Sequence, residues 1–102
     1  MREDLFRIWL QHTDLTARPI GDAISRCKRV CQGLNISLDD EYEKDGGVSV
    51  VELFEYSAED ERMGKPCPNG IYFQPGSNIR KGMASLKNAI KKYMEFCESI
   101  KK

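Results

Sequence analysis

The side chains most capable of chemistry in this chain are cations set at helical spacing. Arg18, Asp22 and Arg26 form one i, i+4 row, and Ser25, Arg29 and Gln32 form another beside it. Near the C-terminal end Arg80, Lys81, Lys87, Lys91 and Lys92 project from the polar side of another periodic segment. Two basic helix faces of this kind can track two stretches of phosphate backbone. The plainer reading is that exposed lysines keep a helix in water, or that they pair with carboxylates elsewhere in the chain. Charge is uneven enough for either. Residues 14–36 carry four basic and two acidic side chains, net +2, and residues 64–102 carry eight and two, net +6. Residues 37–63 carry ten acidic and two basic side chains, net −8, and the whole chain sums to zero.

Other chemistry is less well supported. His12 is the single histidine and reads as a surface or capping residue rather than a general base. Asp39-Asp40-Glu41 lacks the alternating ligands and the glycine of a calcium loop, so a solvated acidic loop is expected. Gly46-Gly47 and Gly64 are not followed by the Lys-Ser/Thr of a phosphate-cradling loop. Cys27 and Cys31 lie four apart on one helix face, which suits a disulfide poorly. With Cys67 and Cys97 they contain no C-x-x-C pair, so buried free thiols are expected, with no metal and no cofactor. Phe6, Trp9, Tyr72 and Phe73 could stack on the bases of a single strand, but their spacing reads as core. No catalytic residue is assigned.

The elements that must position these side chains are mostly helical. The chain has 102 residues, 40% apolar and 31% charged, which fits one globular domain over 1–102 and argues against intrinsic disorder. No apolar stretch approaches the roughly 18–20 residues that span a bilayer. Met1-Arg2-Glu3-Asp4 does not resemble a signal peptide, so a cytoplasmic protein without a membrane partner is expected.

Leu5, Phe6, Ile8, Trp9 and Leu10 fit a first helix. Thr16 is a plausible cap for a second, with Pro19 in its first turn and Ile20, Ile24, Cys27, Val30 or Cys31, and Leu34 on its apolar face. Gly33 is expected to stop it. Asp39 to Gly47 reads as an acidic, turn-rich linker. Val48 to Tyr56 is favoured as a helix opened by the capping box Ser49-x-x-Glu52. Its β-branched content also allows a strand paired with Ile71-Tyr72-Phe73 in a small hairpin. Ser57 to Met63 either extends that element or begins another turn, and a Gly/Pro-rich loop follows to Gly76. In the last helix Ser77 caps and Ile79, Met83, Leu86, Ile90, Tyr93 or Met94, Cys97 and Ile100 recur at three and four residues. A mainly α, compact bundle of four to five helices is therefore predicted.

The run Phe6-x-x-Trp9-Leu10, then Leu15-Thr16-x-x-Pro19-Ile20-x-x-x-Ile24-x-x-Cys27-x-x-Val30, resembles the opening of the core-binding (SAM-like) domain of tyrosine recombinases. Similar N-terminal domains head mobile-element and restriction-type proteins. The closing Met83-x-x-Leu86-x-x-Ala89-Ile90-x-x-Tyr93-Met94-x-Phe96 is similar to that family's last helix. The resemblance implies a SAM-like bundle that clasps duplex DNA without doing chemistry, within or beside a larger recombinase- or nuclease-like protein. It assigns Arg18, Ser25, Arg26 and Arg29, and on the last helix Lys81, Lys87, Asn88, Lys91 and Lys92, to the DNA. Most of these contacts would position phosphates, with Arg26 or Arg29 reaching a base edge. The acidic Leu38–Met63 segment and the Gly/Pro-rich insert have no counterpart in that pattern. The recombinase catalytic domain is not among these residues.

Two functions of different class follow. One is a non-catalytic DNA-binding module using the basic faces of the second and last helices. The other is a small interaction or inhibitor module whose acidic 39–61 segment docks on a basic, nucleic-acid-handling partner. Which charged surface is continuous discriminates between them.

Overall fold

The computed structural model describes residues 1–101, which form six helices in a body of 42 × 30 × 21 Å. They are α1 (Glu3–Gln11), α2 (Ala17–Leu34), α3 (Leu38–Asp45), α4 (Val48–Glu52), α5 (Ala58–Arg62) and α6 (Ile79–Lys101). The chain is mainly α, as its periodicity predicts, with two more or one more helix than expected because the acidic middle folds into three short ones. Among the described residues there is no strand, so the 48–56/71–73 hairpin is not formed. Val48 to Glu52 closes a helical turn instead, with the Val51 N–H donating to the Gly47 carbonyl at 3.0 Å. Ile71 turns back on Pro68, its N–H donating to that carbonyl at 3.0 Å, and its side chain plugs the core.

α6 is the spine. On one side it meets α1 and α2: Phe6 is edge-on to Tyr93 at 4.9 Å between ring centres, and buried Cys27 donates to the Ala89 carbonyl at 3.3 Å. On the other it meets α3, α4 and α5. The buried core joins Phe6, Leu10, Ile24, Val30, Leu38, Val50, Phe54, Leu86, Ile90 and Phe96 around Tyr93. Phe6 and Leu10 are the fully buried residues of α1 and Trp9 packs half-buried beside them, while Leu5 and Ile8 face outward, because five apolar residues within six positions exceed one helix face.

Helix ends depart from the sequence expectation in instructive ways. Asp39 to Asp45 is helix rather than linker. The Ser37 hydroxyl accepts from the Asp40 N–H, and three carboxylates in the first turn complement the helix dipole. The Ser49–Glu52 capping box does not form. Ser49 already lies inside α4, and its N–H donates to the Asp45 carboxylate at 3.1 Å. The box appears at Ser57 and Asp60, opening α5. Thr16 occupies the N-cap of α2 without a side-chain hydrogen bond. α6 is capped by Asn78 rather than Ser77, its Oδ1 accepting from the Lys81 N–H at 3.1 Å.

Gly33 does not stop α2. Asn35 does so in the left-handed region, at φ 54°, with Ile36 N–H donating back to Cys31. Gly33 is required for another reason: a Cβ there would lie 2.6 Å from the Gly70 carbonyl oxygen. The Gly/Pro-rich loop rests backbone to backbone on the last turn of α2.

A polar latch ties the N-terminal segment to α3 and α6. Asp39 Oδ1 accepts from the Tyr93 hydroxyl at 2.7 Å and from Arg2 Nε and Nη2 at 3.1 and 3.0 Å. The Arg2 backbone N–H donates to the Tyr93 oxygen at 2.9 Å. Burial pushes the Asp39 carboxyl up, yet the bonds from Tyr93 and Arg2 and the charge of Arg2 outweigh it and hold it below the usual carboxylate value.

Candidate nucleic-acid interface

The nine residues expected at DNA are not one surface. On a helix with 3.6 residues per turn, the cations of α6 fall into two rows. Lys87, Lys91, Met94 and Glu98 succeed one another at four, three and four residues. Lys81, Ser85, Asn88 and Lys92 do the same on a different side.

The first row faces the acidic helices. Lys87 pairs with Glu55 at 2.7 Å and is only 26% exposed. Met94 packs under Gly47, where an added Cβ would lie 2.4 Å from its sulfur. The Tyr42 hydroxyl donates to Glu98, and the short contact with that carboxylate pushes the phenol up to about 12. Lys91 lines a groove beside Glu52 of α4. Lys87 is therefore paired with a carboxylate of the same chain, whereas Lys91 is exposed and makes no ion pair among the described residues.

The second row stands apart from the acidic helices. Lys81 and Asn88 are exposed, Ser85 and Lys92 are half-buried, and neither lysine makes an ion pair among the described residues. Ser85 lies one turn from Gly82, and Gly82 is where the loop meets α6. A Cβ at Gly82 would come within 2.3 Å of the Phe73 ring. The opposite side of the loop meets α2, because the Arg29 guanidinium lies 4.8 Å from the centre of that same ring. Phe73 thus bridges the two basic helices.

Arg29 also donates to the Tyr72 carbonyl. One of its five N–H donors is thus committed to the loop, while the side chain stays exposed. Arg26, one turn before it, together with Arg18 and Ser25, is exposed, and neither arginine makes an ion pair among the described residues.

The loop presents one residue that helical or strand spacing placed in the core. Tyr72 is 77% exposed, whereas Ile71 before it is buried and Phe73 after it is clamped between α2 and α6. An aromatic ring held outward by anchored neighbours, beside a cationic helix face, is the form of a stacking or wedging side chain. Of the other aromatics, Phe6 is buried and Trp9 half-buried at 6.3 Å from it, both as core. The only sequence signal for Tyr72 was its position between Gly70 and Pro75, where a strand cannot run undisturbed.

The remaining reactive side chains are quiet. All four cysteines are free; Cys27 and Cys97 are buried, Cys31 and Cys67 half-buried. Burial raises the thiols of Cys31 and Cys97 and pushes Cys27 up to about 12, which keeps them protonated. His12 caps α1, its Nδ1 bonded to the Ile8 carbonyl at 2.8 Å. Among the described residues, no group of three or more His, Cys, Asp or Glu side chains is arranged to hold a metal ion, and no helix is long and apolar enough to cross a membrane.

No family model, curated protein or solved structure matches this chain.

Proposed function

We propose that this chain is a non-catalytic, SAM-like DNA-binding module that lays the joined basic surface of α2 and α6 on duplex DNA. It would act within or beside a larger recombinase- or nuclease-like protein, in the cytoplasm, where its four thiols stay reduced. The observation that carries the reading is the Phe73 bridge, which sets Arg29 of α2 and Gly82 of α6 on one aromatic ring. Along the two helices that this ring joins, Arg18, Arg26, Lys81 and Lys92 supply phosphate contacts, and Ser25 and Asn88 supply neutral hydrogen bonds. Tyr72 lies against a base or sugar at the edge of the groove. Arg26 or Arg29 reaches a base edge, Arg29 while also donating to the Tyr72 carbonyl.

The test is binding of a labelled random duplex at about 50 and about 200 mM salt, because each neutralised phosphate adds roughly 0.9 to the slope of log affinity against log salt. Four phosphate cations predict a slope near −3.6, or about a hundredfold loss over that range. A duplex that fails to bind at the lower salt, or binds without salt dependence, refutes the proposal.

A further inference from the structure

We infer that the groove between α3–α4 and the C-terminal half of α6 receives a basic amphipathic helix of a partner protein. This site is separate from the DNA surface and does not rest on it. The groove encloses about 860 Å³ and runs along α6 from Lys91 to Lys101, about 15 Å at 1.5 Å per residue, which matches roughly three turns of a docked helix.

Its floor is apolar and its rims are acidic. Val48, 56% exposed, and Ile100, 42% exposed, stand unpartnered beside half-buried Val51, with Met94 beneath them. Glu43 and Glu52 edge the α3–α4 side, and Glu95 and Glu98 edge the α6 side. The cations along the groove offset these only in part. Three cations line the groove beside the four carboxylates, leaving its lining at net −1: Arg2 is already bonded to Asp39, the Lys101 ammonium lies 5.9 Å from the centre of the Tyr42 ring, and Lys91 is exposed without an ion pair among the described residues. Residues 37–63, which include Glu43 and Glu52 of the rim, carry a net −8. An apolar stripe flanked by carboxylates on both sides is complementary to a helix with apolar residues at i, i+3, i+4 and i+7 and Lys or Arg on its flanks.

A second copy of this chain offers no such helix. The apolar faces of its basic helices α2 and α6 are already buried in its own core. α1 does present Leu5 and Ile8 outward, but between Glu3, Asp4 and a single Arg7 it lacks the positive charge.

The floor is held rigidly. Gly46 and Gly47 both adopt positive φ, 71° and 83°, to bring α3 and α4 around Met94, and Tyr42 bridges from α3 to Glu98 of α6. A preformed groove loses little conformational freedom on binding.

The experiment uses the whole chain and three labelled peptides of about 16 residues, read by fluorescence anisotropy. One is a leucine/lysine amphipathic helix, one has glutamate in place of every lysine, and one is a scrambled basic sequence. The first should bind at least about tenfold more tightly than the other two, with the lysine–glutamate difference shrinking as salt rises. Glu52→Lys/Glu95→Lys should weaken it about tenfold or more, and Val48→Asp should do the same with less salt dependence. Glu59→Lys/Glu61→Lys on α5, outside the groove but with the same change of charge, should leave it unchanged. Circular dichroism and Tm confirm that each variant is folded. Equal binding of the three peptides, an equal loss in the α5 variant, or a dimer in sedimentation that Val48→Asp dissolves would each overturn the inference. Loss of duplex binding has no bearing on it, and the groove variants should bind duplex at least as well as the original chain.

Discussion

The two rows of cations on α6 are made of the same kind of residue on the same helix, yet their surroundings differ. Lys87 and Lys91 lie on the side covered by the acidic helices, where Glu55 already pairs with Lys87. Lys81 adjoins Gly82, where α6 borders the Gly/Pro-rich loop with Arg29 of α2 across the Phe73 ring, and Lys92 follows on the same side of the helix about 15 Å further along. A lysine at low exposure beside a carboxylate gains nothing further from a phosphate unless that pair is broken. One without a partner brings its whole charge to the polyanion. Under the proposed function, counting lysines on a polar face therefore overstates the surface available to DNA, because the neighbours of each lysine decide whether its charge is free.

The sharpest way to break this comparison is to reverse the charge of one row at a time. Lys81→Glu/Lys92→Glu should cost about a hundredfold in duplex affinity at low salt and lower the salt slope by about 2. Lys87→Glu/Lys91→Glu changes net charge identically but should cost under about threefold, measured by the same titration. Equal losses would show that overall charge, not the row, governs binding.

Tyr72 tests the loop that joins the basic helices. Tyr72→Ala should lose about tenfold in affinity with the salt slope unchanged, and Tyr72→Phe should retain binding, since a stacked ring contributes on the order of 1–3 kcal/mol. Gly33→Ala pushes the loop away from α2 through the Gly70 carbonyl and should reproduce the Tyr72→Ala loss. The double variant should bind no worse than the weaker single one.

The latch at Asp39 tests how firmly the acidic side is held to α6. Tyr93→Phe should lower stability by about 1–2 kcal/mol at neutral pH, measured by urea denaturation. Asp39 has a folded pKa below its unfolded one. Its contribution is therefore present above the unfolded value, near 4, and is lost as pH falls through the folded value. The acid limb of the stability curve should be shallower in Tyr93→Phe than in the original chain.

The smallest effect expected is that of Glu55→Gln. It removes an ion pair whose carboxylate is exposed, so stability should change by less than about 1 kcal/mol. Lys87 is released, and duplex affinity should rise about twofold at low salt and not at high salt.

How much of this was legible in the residues alone differs from place to place. The apolar residues of α2 and α6 recur at three and four positions, and Ile20, Ile24, Cys27, Val30, Met83, Leu86, Ile90, Tyr93 and Cys97 are buried as that period requires. In the acidic middle, Val48–Glu52 is helical as favoured, but Asp39 to Asp45 reads as linker and is helix, because these helices are short. Five to eight residues give too few repeats for a period, and carboxylates that favour a helix N-terminus also favour solvated loops. Tyr72 was misread because exposure is not a property of a residue but of what packs on either side of it.

The sequence by itself determined the periodic elements: two long amphipathic helices with basic polar faces, and ten carboxylates gathered between them. Those follow from local chemistry, since side-chain spacing fixes which face is apolar. The tertiary structure decided the pairing of Arg2, Lys28 and Lys87, whose partners lie far away in the chain, unlike the local pairs Arg7–Glu3 and Lys65–Asp60. Lys87 meets Glu55 and Arg29 meets Phe73 only after α3–α5 and the loop have closed on opposite sides of α6. Coulomb interaction is a function of distance, and only the fold sets the distance between residues that the sequence keeps apart.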